Sequence, residues 1–281
     1  MTTIPSTCVI GTGLTAAVVT HELVRAGWQL TLLEARQLVG GNVVPAQFNG
    51  IFFEPHGPHV FHTDKPDVIT WMGPHVRLNN YRHTVKSDTE AGLLSWPPQV
   101  SELKQLPEWE RIEKELIDRP PQPNPQTFET YAVGLMGETL YRWFIRGYTE
   151  KQWGRPASQL SSSFAPKRID LRDDDFRPLF YDAVQGWPVQ GWGPVMSHLL
   201  SGAESVQLGH RATAETVDPG DYTAVLVTCP LDDFLGETRL EWRSIRTQHT
   251  YHPDATGFRL PAPTINCPTP DVAYTRMTET K

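Results

Sequence analysis

A short apolar run followed at once by glycines opens the chain, and this feature constrains the fold most strongly. Residues 7–10 (Thr-Cys-Val-Ile) suit a buried parallel strand, and residues 16–26 suit a helix that ends at Gly27. Residues 29–33 give a second strand that Glu34 closes. This order predicts a β-α-β unit and therefore an α/β fold with a Rossmann-like (FAD/NAD-type) parallel sheet.

The glycines of this unit match a dinucleotide-binding fingerprint. Gly11 would allow the tight turn, and Gly13 would let the backbone approach a pyrophosphate. Glu34 follows 21 residues after Gly13, where a carboxylate can hold ribose hydroxyls. The alternative is a β-α-β unit that has lost its ligand.

The rest of the chain predicts a helical insertion and a second, antiparallel sheet. Residues 103–119 and 128–146 have helical spacing, residues 225–230 form another buried-strand signal, and residues 240–250 alternate in places. We therefore expect three units: a Rossmann-like domain (1–76 and 202–238), a helical domain (97–166) and an antiparallel-sheet or substrate domain (77–96, 167–201 and 239–281).

Composition excludes several classes of protein. The net charge of −7 over 281 residues argues against a nucleic-acid partner, because phosphate binding needs a basic face. The three cysteines have neither zinc nor CxxC spacing, which favours a reducing compartment. No apolar run reaches transmembrane length and no leader is evident, so we expect a soluble, cytoplasmic protein without a membrane partner.

Several aromatic and glycine-rich stretches together resemble the UDP-galactopyranose mutase family. They are residues 38–42 (Leu-Val-Gly-Gly-Asn), 57–63 (Gly-Pro-His-Val-Phe-His-Thr) and above all 147–154 (Gly-Tyr-Thr-Glu-Lys-Gln-Trp-Gly). Residues 167–169, 241–244 and 273–276 match in the same order. The resemblance runs from the first strand to the last residue and implies an isomerase acting on a nucleotide sugar.

The resemblance also implies roles for individual residues. Phe144 and Tyr148 correspond to aromatics that stack on the base, and Trp153 to a residue of the sugar pocket. Arg168 and Arg276 correspond to arginines that clamp the diphosphate, while Arg243 and Asn266 match positions near the same pocket. Taken singly, each aromatic is more often a core residue and each arginine more often a solvated charge.

Members of that family use reduced FAD as a nucleophile toward the anomeric carbon of the sugar. Their flavin-contacting Gly-Gly-Arg segment has no counterpart before Lys281, so the resemblance predicts a truncated variant in which FAD is doubtful. Should FAD be retained, Gly11, Gly13, Glu34 and Gly41 would bind it.

An acidic run and two histidines suggest how an enzyme without flavin would work. Asp173, Asp174 and Asp175 follow Arg168 closely, and carboxylates together with phosphates are ligands that Mg²⁺ or Mn²⁺ prefers. The alternative is a solvated acidic loop. His83 stands where the family has an asparagine; it or His59 could move the proton of a sugar hydroxyl, and either could equally be structural.

The sequence therefore predicts a mutase that interconverts the pyranose and furanose forms of a UDP- or GDP-linked hexose, without flavin and with a divalent metal. An FAD-dependent mutase is the first alternative. A non-catalytic nucleotide-sugar binding protein is the second. A homodimer is left open.

Overall fold

The computed structural model describes residues 4–167, 169–236, 240–253 and 256–279. Within them the strands are, in chain order, β1 (Ser6–Ile10), β2 (Gln29–Glu34), β3 (Ala46–Phe48), β4 (Ile51–Phe53), β5 (Phe61–Thr63), β6 (Val85–Thr89), β7 (Gly92–Trp96), β8 (Val184–Gly186), β9 (Ser205–Leu208), β10 (Ala224–Val227), β11 (Thr264–Asn266) and β12 (Arg276–Thr278). The α-helices are α1 (Leu14–Arg25), α2 (Pro66–Met72), α3 (Val100–Leu103), α4 (Trp109–Ile117), α5 (Phe128–Leu140), α6 (Gly147–Trp153), α7 (Trp192–Leu200) and α8 (Leu231–Leu235).

A four-stranded parallel sheet contains the first strand of the chain. Its order is β10-β1-β2-β9, and each neighbouring pair is parallel. Helix α1 connects β1 to β2, as the glycine and apolar pattern predicts, and β10 overlaps the strand predicted at residues 225–230. The predicted α/β fold with a Rossmann-like parallel sheet is confirmed.

The two faces of this sheet bury separate hydrophobic clusters, because successive side chains of a strand point to opposite sides. Val9 packs on one face with residues of α1 and α7, including Met196. Cys8 and Ile10 pack on the other face with a cluster that includes Phe234. A sheet covered on both faces explains why its strands read as continuous apolar runs.

A second, mixed sheet has the order β12-β11-β6-β7. β11 pairs antiparallel with β12 and parallel with β6, and β6 pairs antiparallel with β7. The prediction of a strand within residues 240–250 is wrong: described residues 240–253 carry no strand and are exposed. Alternation stabilises a strand only where one face is buried, and here neither face is.

The helical insertion has its own core. Ile112 of α4 and Met136 of α5 are fully buried in one cluster. Thr127 begins α5 with a capping box: its hydroxyl accepts a hydrogen bond from the N–H of Thr130, whose hydroxyl accepts one from the N–H of Thr127. The chain continues from α5 through a π-helical turn, residues 141–146, directly into α6.

None of the described helices is long and apolar enough to cross a membrane. The division of the chain into three units stays a prediction.

Candidate functional site

A cavity of about 890 Å³ brings together residues that are far apart in the sequence. Its volume falls within the range of small-molecule sites. The predicted site residues that line it are His59, His83, Phe144, Tyr148, Trp153, Asn266 and Arg276. Leu14, the first residue of α1, and Val43 also line it, so the cavity adjoins the glycine-rich end of the parallel sheet.

Two glycine loops meet at that end. Gly11 has φ of +98° and Gly41 has φ of +60°, a region in which residues with side chains are strained. A Cβ added to Gly41 would lie 2.9 Å from the Cα of Gly13, so the loops approach too closely for any other residue there. A Cβ on Gly13 would meet nothing within 4 Å, which leaves its outer side open.

These loops fit the pyrophosphate of FAD or a similar dinucleotide. Gly13 is the N-cap residue of helix α1, so the helix has no side-chain cap, and its first turn contains no acidic residue. Its N-terminal N–H groups are therefore available to an anion. Gly11, Gly13 and Gly41 would hold the cofactor through their backbone.

Glu34 closes the same loop from the end of β2. Its buried carboxylate accepts hydrogen bonds from the N–H and hydroxyl of Thr12, at 3.0 and 2.6 Å, and from the N–H of Arg36 at 2.8 Å. It therefore fixes the glycine turn; its contact with a ribose stays a prediction.

The aromatic residues of the cavity come from the π-helical turn and α6. A π-helical turn is rare and often occurs at functional sites. Phe144 lies in this turn, is almost completely buried and packs against Trp96 with ring centroids 5.9 Å apart. Tyr148 and Trp153, both half-buried, follow in α6. These rings give the cavity flat apolar walls, and their contact with base and sugar stays a prediction.

Asn266 and Arg276 are direct neighbours across two strands. They form the last register pair of β11 and β12, and both line the cavity. Cross-strand neighbours have their Cβ atoms about 5 Å apart, so the two polar groups can act on one ligand.

His83 is buried in the cavity wall and neutral at physiological pH. Burial, with a smaller effect from the charge of Arg276, lowers its pKa from 6.5 to about 4. Its Nδ1 lies 2.9 Å from the hydroxyl of Tyr81, and its Nε2 lies 3.3 Å from the hydroxyl of Thr264. Burial raises the pKa of Tyr81 to about 12, so both neighbours are neutral hydroxyls. The imidazole can exchange a proton with them, and its role in catalysis stays a prediction.

His59 is held differently. Its backbone N–H donates to the Glu54 carboxylate, and its backbone carbonyl accepts from the indole N–H of Trp192 at 3.0 Å. Its buried Nδ1, 3.5 Å from Glu54 Oε2, makes no hydrogen bond. The backbone contacts give His59 a structural role at the cavity, and a role in proton transfer stays a prediction.

Comparisons with known proteins agree with this geometry. Residues 143–281, which include α6, Asn266 and Arg276, match the family model described as UDP-galactopyranose mutase. The chain is 28% identical over 293 residues to a probable UDP-galactopyranose mutase of Klebsiella pneumoniae, a match that covers 97% of this chain and 72% of the relative. The chain is similar to the UDP-galactopyranose mutase family. The predicted resemblance is thereby confirmed, and the predicted enzyme class, isomerase, is that of this family.

Two further likenesses concern the chain as a whole. It is 28% identical to the dTDP-fucopyranose mutase of Escherichia coli, with 97% of this chain and 76% of the relative covered. Its fold is similar to that of a reduced UDP-galactopyranose mutase, with a TM-score of 0.73 at 19% identity over 98% of this chain and 70% of that chain.

The prediction that this chain is a truncated variant doing without FAD is not borne out. Residues 9–73 match the model of an NAD(P)-binding Rossmann-like domain, and the glycine loops keep the geometry that a dinucleotide requires. That prediction rests on the end of the sequence. The two glycine loops, called the glycine cradle below, are built by residues 11–41 and do not depend on that end.

The prediction of a divalent metal at the acidic run is also wrong. Within the described part of the chain, no group of His, Cys, Asp or Glu side chains could hold a metal ion. Asp174 accepts hydrogen bonds from the N–H of Phe176 at 3.1 Å and the hydroxyl of Tyr181 at 2.8 Å, and Asp175 accepts one from the Ser101 hydroxyl. Asp173, Asp174 and Asp175 are all absent from the cavity lining, so the run forms a turn and not a metal site.

Two predicted arginines remain. Arg168 lies outside the described residues. Arg243 is exposed and is not among the residues that line the cavity; its guanidinium occupies the space beside Gly154, just after Trp153.

Arg172 is one of the cavity residues that sequence reasoning missed. It is buried, its Nε donates to Asp170 at 2.7 Å, and its other nitrogens donate to the carbonyls of Phe176, Pro178 and Leu179. An arginine between aspartates is usually a solvated surface charge, so no local signal in the sequence marks Arg172 as a cavity residue. Its contacts fold residues 170–179 into the cavity wall.

Proposed function

We propose that the protein is an FAD-dependent mutase that interconverts the pyranose and furanose forms of a nucleoside-diphosphate hexose. The observation that carries this proposal is a single cavity lined both by Leu14 at the glycine cradle and by the Asn266–Arg276 pair. A redox cofactor on the cradle and a nucleotide sugar beside Arg276 would share this space.

The side chains of the cavity suit the parts of such a substrate. Arg276 offers a forked set of donors to the diphosphate, and Asn266 beside it adds an amide donor. Phe144 and Tyr148 offer ring faces on which a base can stack, and Trp153 offers one to the sugar. The charge of Arg276 would stabilise the departing diphosphate when the bond to the anomeric carbon breaks.

Bound FAD would supply, in its reduced form, a nucleophile for the anomeric carbon. The chain's own residues would position the sugar, exclude water with the aromatic walls, and move protons. His83 is a weak base, because burial lowers its pKa to about 4, and both ring nitrogens face hydroxyls, those of Tyr81 and Thr264. Its part would be to orient these hydroxyls and to relay a proton through them.

The direct test is conversion of UDP-galactopyranose by the purified protein with reduced FAD, followed by chromatography of the two ring forms. We expect conversion with reduced FAD and none with oxidised FAD. Conversion that is unaffected by removing FAD would sink the flavin-dependent form of the proposal.

The arginine can be tested by a conservative change. Arg276→Lys keeps the charge and removes the fork, so we expect the Kd for UDP to rise by about tenfold. Arg211→Lys is the matched control, because Arg211 pairs with Asp233 on the exposed surface at 3.4 Å. Equal UDP affinity in the two variants would remove Arg276 from the proposed site.

The identity of base and sugar calls for a panel. The two mutases of different specificity match this chain at the same 28% identity, which favours testing dTDP-fucopyranose beside UDP-galactopyranose and a GDP-hexose. Binding of one of these nucleotide sugars without conversion of any of them would favour the alternative of a non-catalytic binding protein.

A further inference from the structure

Lys151 of α6 lies against four backbone carbonyls of one loop. Its Nζ is 2.9 Å from the carbonyl oxygen of Thr269, 3.1 Å from that of Val272 and 3.0 Å from that of Tyr274. It also donates to the carbonyl of Cys267. An ammonium has three N–H donors, so this arrangement resembles a cation surrounded by carbonyl dipoles more than a set of separate hydrogen bonds.

The same face of α6 makes a second close contact with that loop. Gly147 lies one turn before Lys151, and a Cβ placed on it would be 2.0 Å from the carbonyl oxygen of Pro268. Residues four apart lie on one face of a helix, so Gly147 lets the loop approach and Lys151 holds its carbonyls. Tyr148 and Gln152 of this short helix line the cavity instead.

The loop held in this way, residues 267–275, is the connection between β11 and β12. The N–H of Cys267 donates to the carbonyl of Thr275 at 2.8 Å and closes it. Asn266 and Arg276 are the two residues that flank this connection and face each other across the strands. A shift of the loop therefore moves both residues of the strand pair together.

We propose that Lys151 is a positioning residue whose ammonium sets the 267–275 loop and so aligns Asn266 and Arg276 for a diphosphate. The last step rests on the proposed function. Neutral carbonyls are the natural partners here, because they stabilise the half-buried ammonium without adding a negative charge that would repel the phosphate. Lys151 itself does not touch the substrate.

The test compares Lys151→Met with Lys114→Met, a matched control on the exposed side of α4. We expect Lys151→Met to raise the Kd for UDP and the KM for the sugar nucleotide by about tenfold or more, with a change in kcat of less than about threefold. Hydrogen exchange of amides 267–275 should become faster by about tenfold or more in this variant alone.

Chemical rescue separates positioning from general stability. Lys151→Ala leaves the carbonyls unpaired, so added methylammonium should restore UDP affinity by about fivefold or more, whereas the same salt should leave Arg276→Lys unchanged. Should Lys151→Met fail to fold, Lys151→Gln, which keeps two N–H donors, takes its place with a smaller expected loss.

Wild-type UDP affinity together with unchanged loop exchange in a folded Lys151→Met protein would overturn the proposal. Failure of the wild-type protein to bind UDP is a different result, because it overturns the proposed function. In that case the exchange of residues 267–275 still decides whether Lys151 holds the loop.

Discussion

At the scale of single residues, burial changes what a polar side chain can do. His83 and Arg172 are 5% and 4% exposed, respectively, and both line the cavity. Burial favours the neutral imidazole, whereas the guanidinium stays charged and needs acceptors on every side. We therefore expect acid to lower the free energy of unfolding through His83, and substitution of Arg172 to lower it by leaving acceptors unpaired.

His83 should make the protein less stable as the pH falls from about 6.5 to about 4. Its pKa is about 4 in the folded protein against 6.5 ordinarily, so the unfolded chain takes up a proton in this window and the folded protein does not. The free energy of unfolding should fall by up to about 3 kcal/mol across it and level off below.

Urea unfolding of wild type and His83→Asn at several pH values checks this expectation. The variant has no group that titrates at this position. The difference between the unfolding free energies of the two proteins should therefore change between neutral and acid conditions. Parallel curves would show that His83 titrates normally in the folded protein.

Arg172→Met should destabilise the protein by about 3 kcal/mol, because three carbonyls and the Asp170 carboxylate lose their donor. Arg155→Met is the matched control: its ion pair with Glu241 is exposed and should contribute less than about 1 kcal/mol. Chemical unfolding of both variants gives the comparison, and equal losses would contradict the structural role of Arg172.

At the scale of elements, the glycine turn between β1 and α1 contains two glycines with different tasks. Gly11 has φ of +98°, and a Cβ there would lie 2.6 Å from the hydroxyl oxygen of Thr228. Gly13 has an ordinary φ of −68° and open space outside. Gly11 is therefore required by the fold, whereas Gly13 is required by the ligand that approaches the N-terminus of α1.

Substituting each glycine by alanine should separate folding from cofactor binding. Gly11→Ala should lower the free energy of unfolding by about 1–3 kcal/mol without any cofactor present. Gly13→Ala should leave it within about 1 kcal/mol but raise the Kd for FAD by about tenfold or more.

The measurements are unfolding of the cofactor-free proteins and titration of FAD by quenching of its fluorescence. Gly27→Ala, which changes a glycine with φ of +82° at the far end of α1, controls for backbone strain away from the cradle. Wild-type FAD affinity in Gly13→Ala would place the cofactor elsewhere.

At the scale of the whole molecule, the cavity borders regions that are stabilised by different cores. One cluster includes Met136 and Phe144 of the helical insertion, and another includes Val9 and Met196 of the parallel sheet. FAD and UDP should therefore each stabilise the region that they contact more than they stabilise the other region.

Hydrogen exchange with ligands should map two separate sites. FAD should protect amides of residues 11–41, and UDP should protect those of residues 141–153 and 264–278. Added together, the two ligands should protect both regions, whereas adenosine serves as a control that lacks the diphosphate. Protection of residues 11–41 by UDP alone would mean that the nucleotide sugar occupies the cradle.

Much of the fold and part of the site were predictable because their signals are local. The β1-α1-β2 unit is encoded by a contiguous apolar, glycine and apolar order, and the stretch from Gly147 to Gly154 carries enough aromatic residues to indicate the family. Residues 240–250 show the limit: they alternate, but the folded chain leaves them exposed on both sides.

The order of residues along the chain is enough to predict the Rossmann-like unit, the family resemblance and the residues that could form a site. Folding brings in the rest: the Asp173–Asp175 run forms a local turn, His83 is neutral, and Lys151 binds the loop before Arg276. The prediction of a flavin-independent enzyme is wrong because the dinucleotide loops depend on the packing of Gly13 against Gly41 and not on the end of the chain. Helical and strand periods are set by neighbouring residues, whereas His83 and Lys151 have partners, Thr264 and Tyr274, more than a hundred positions away.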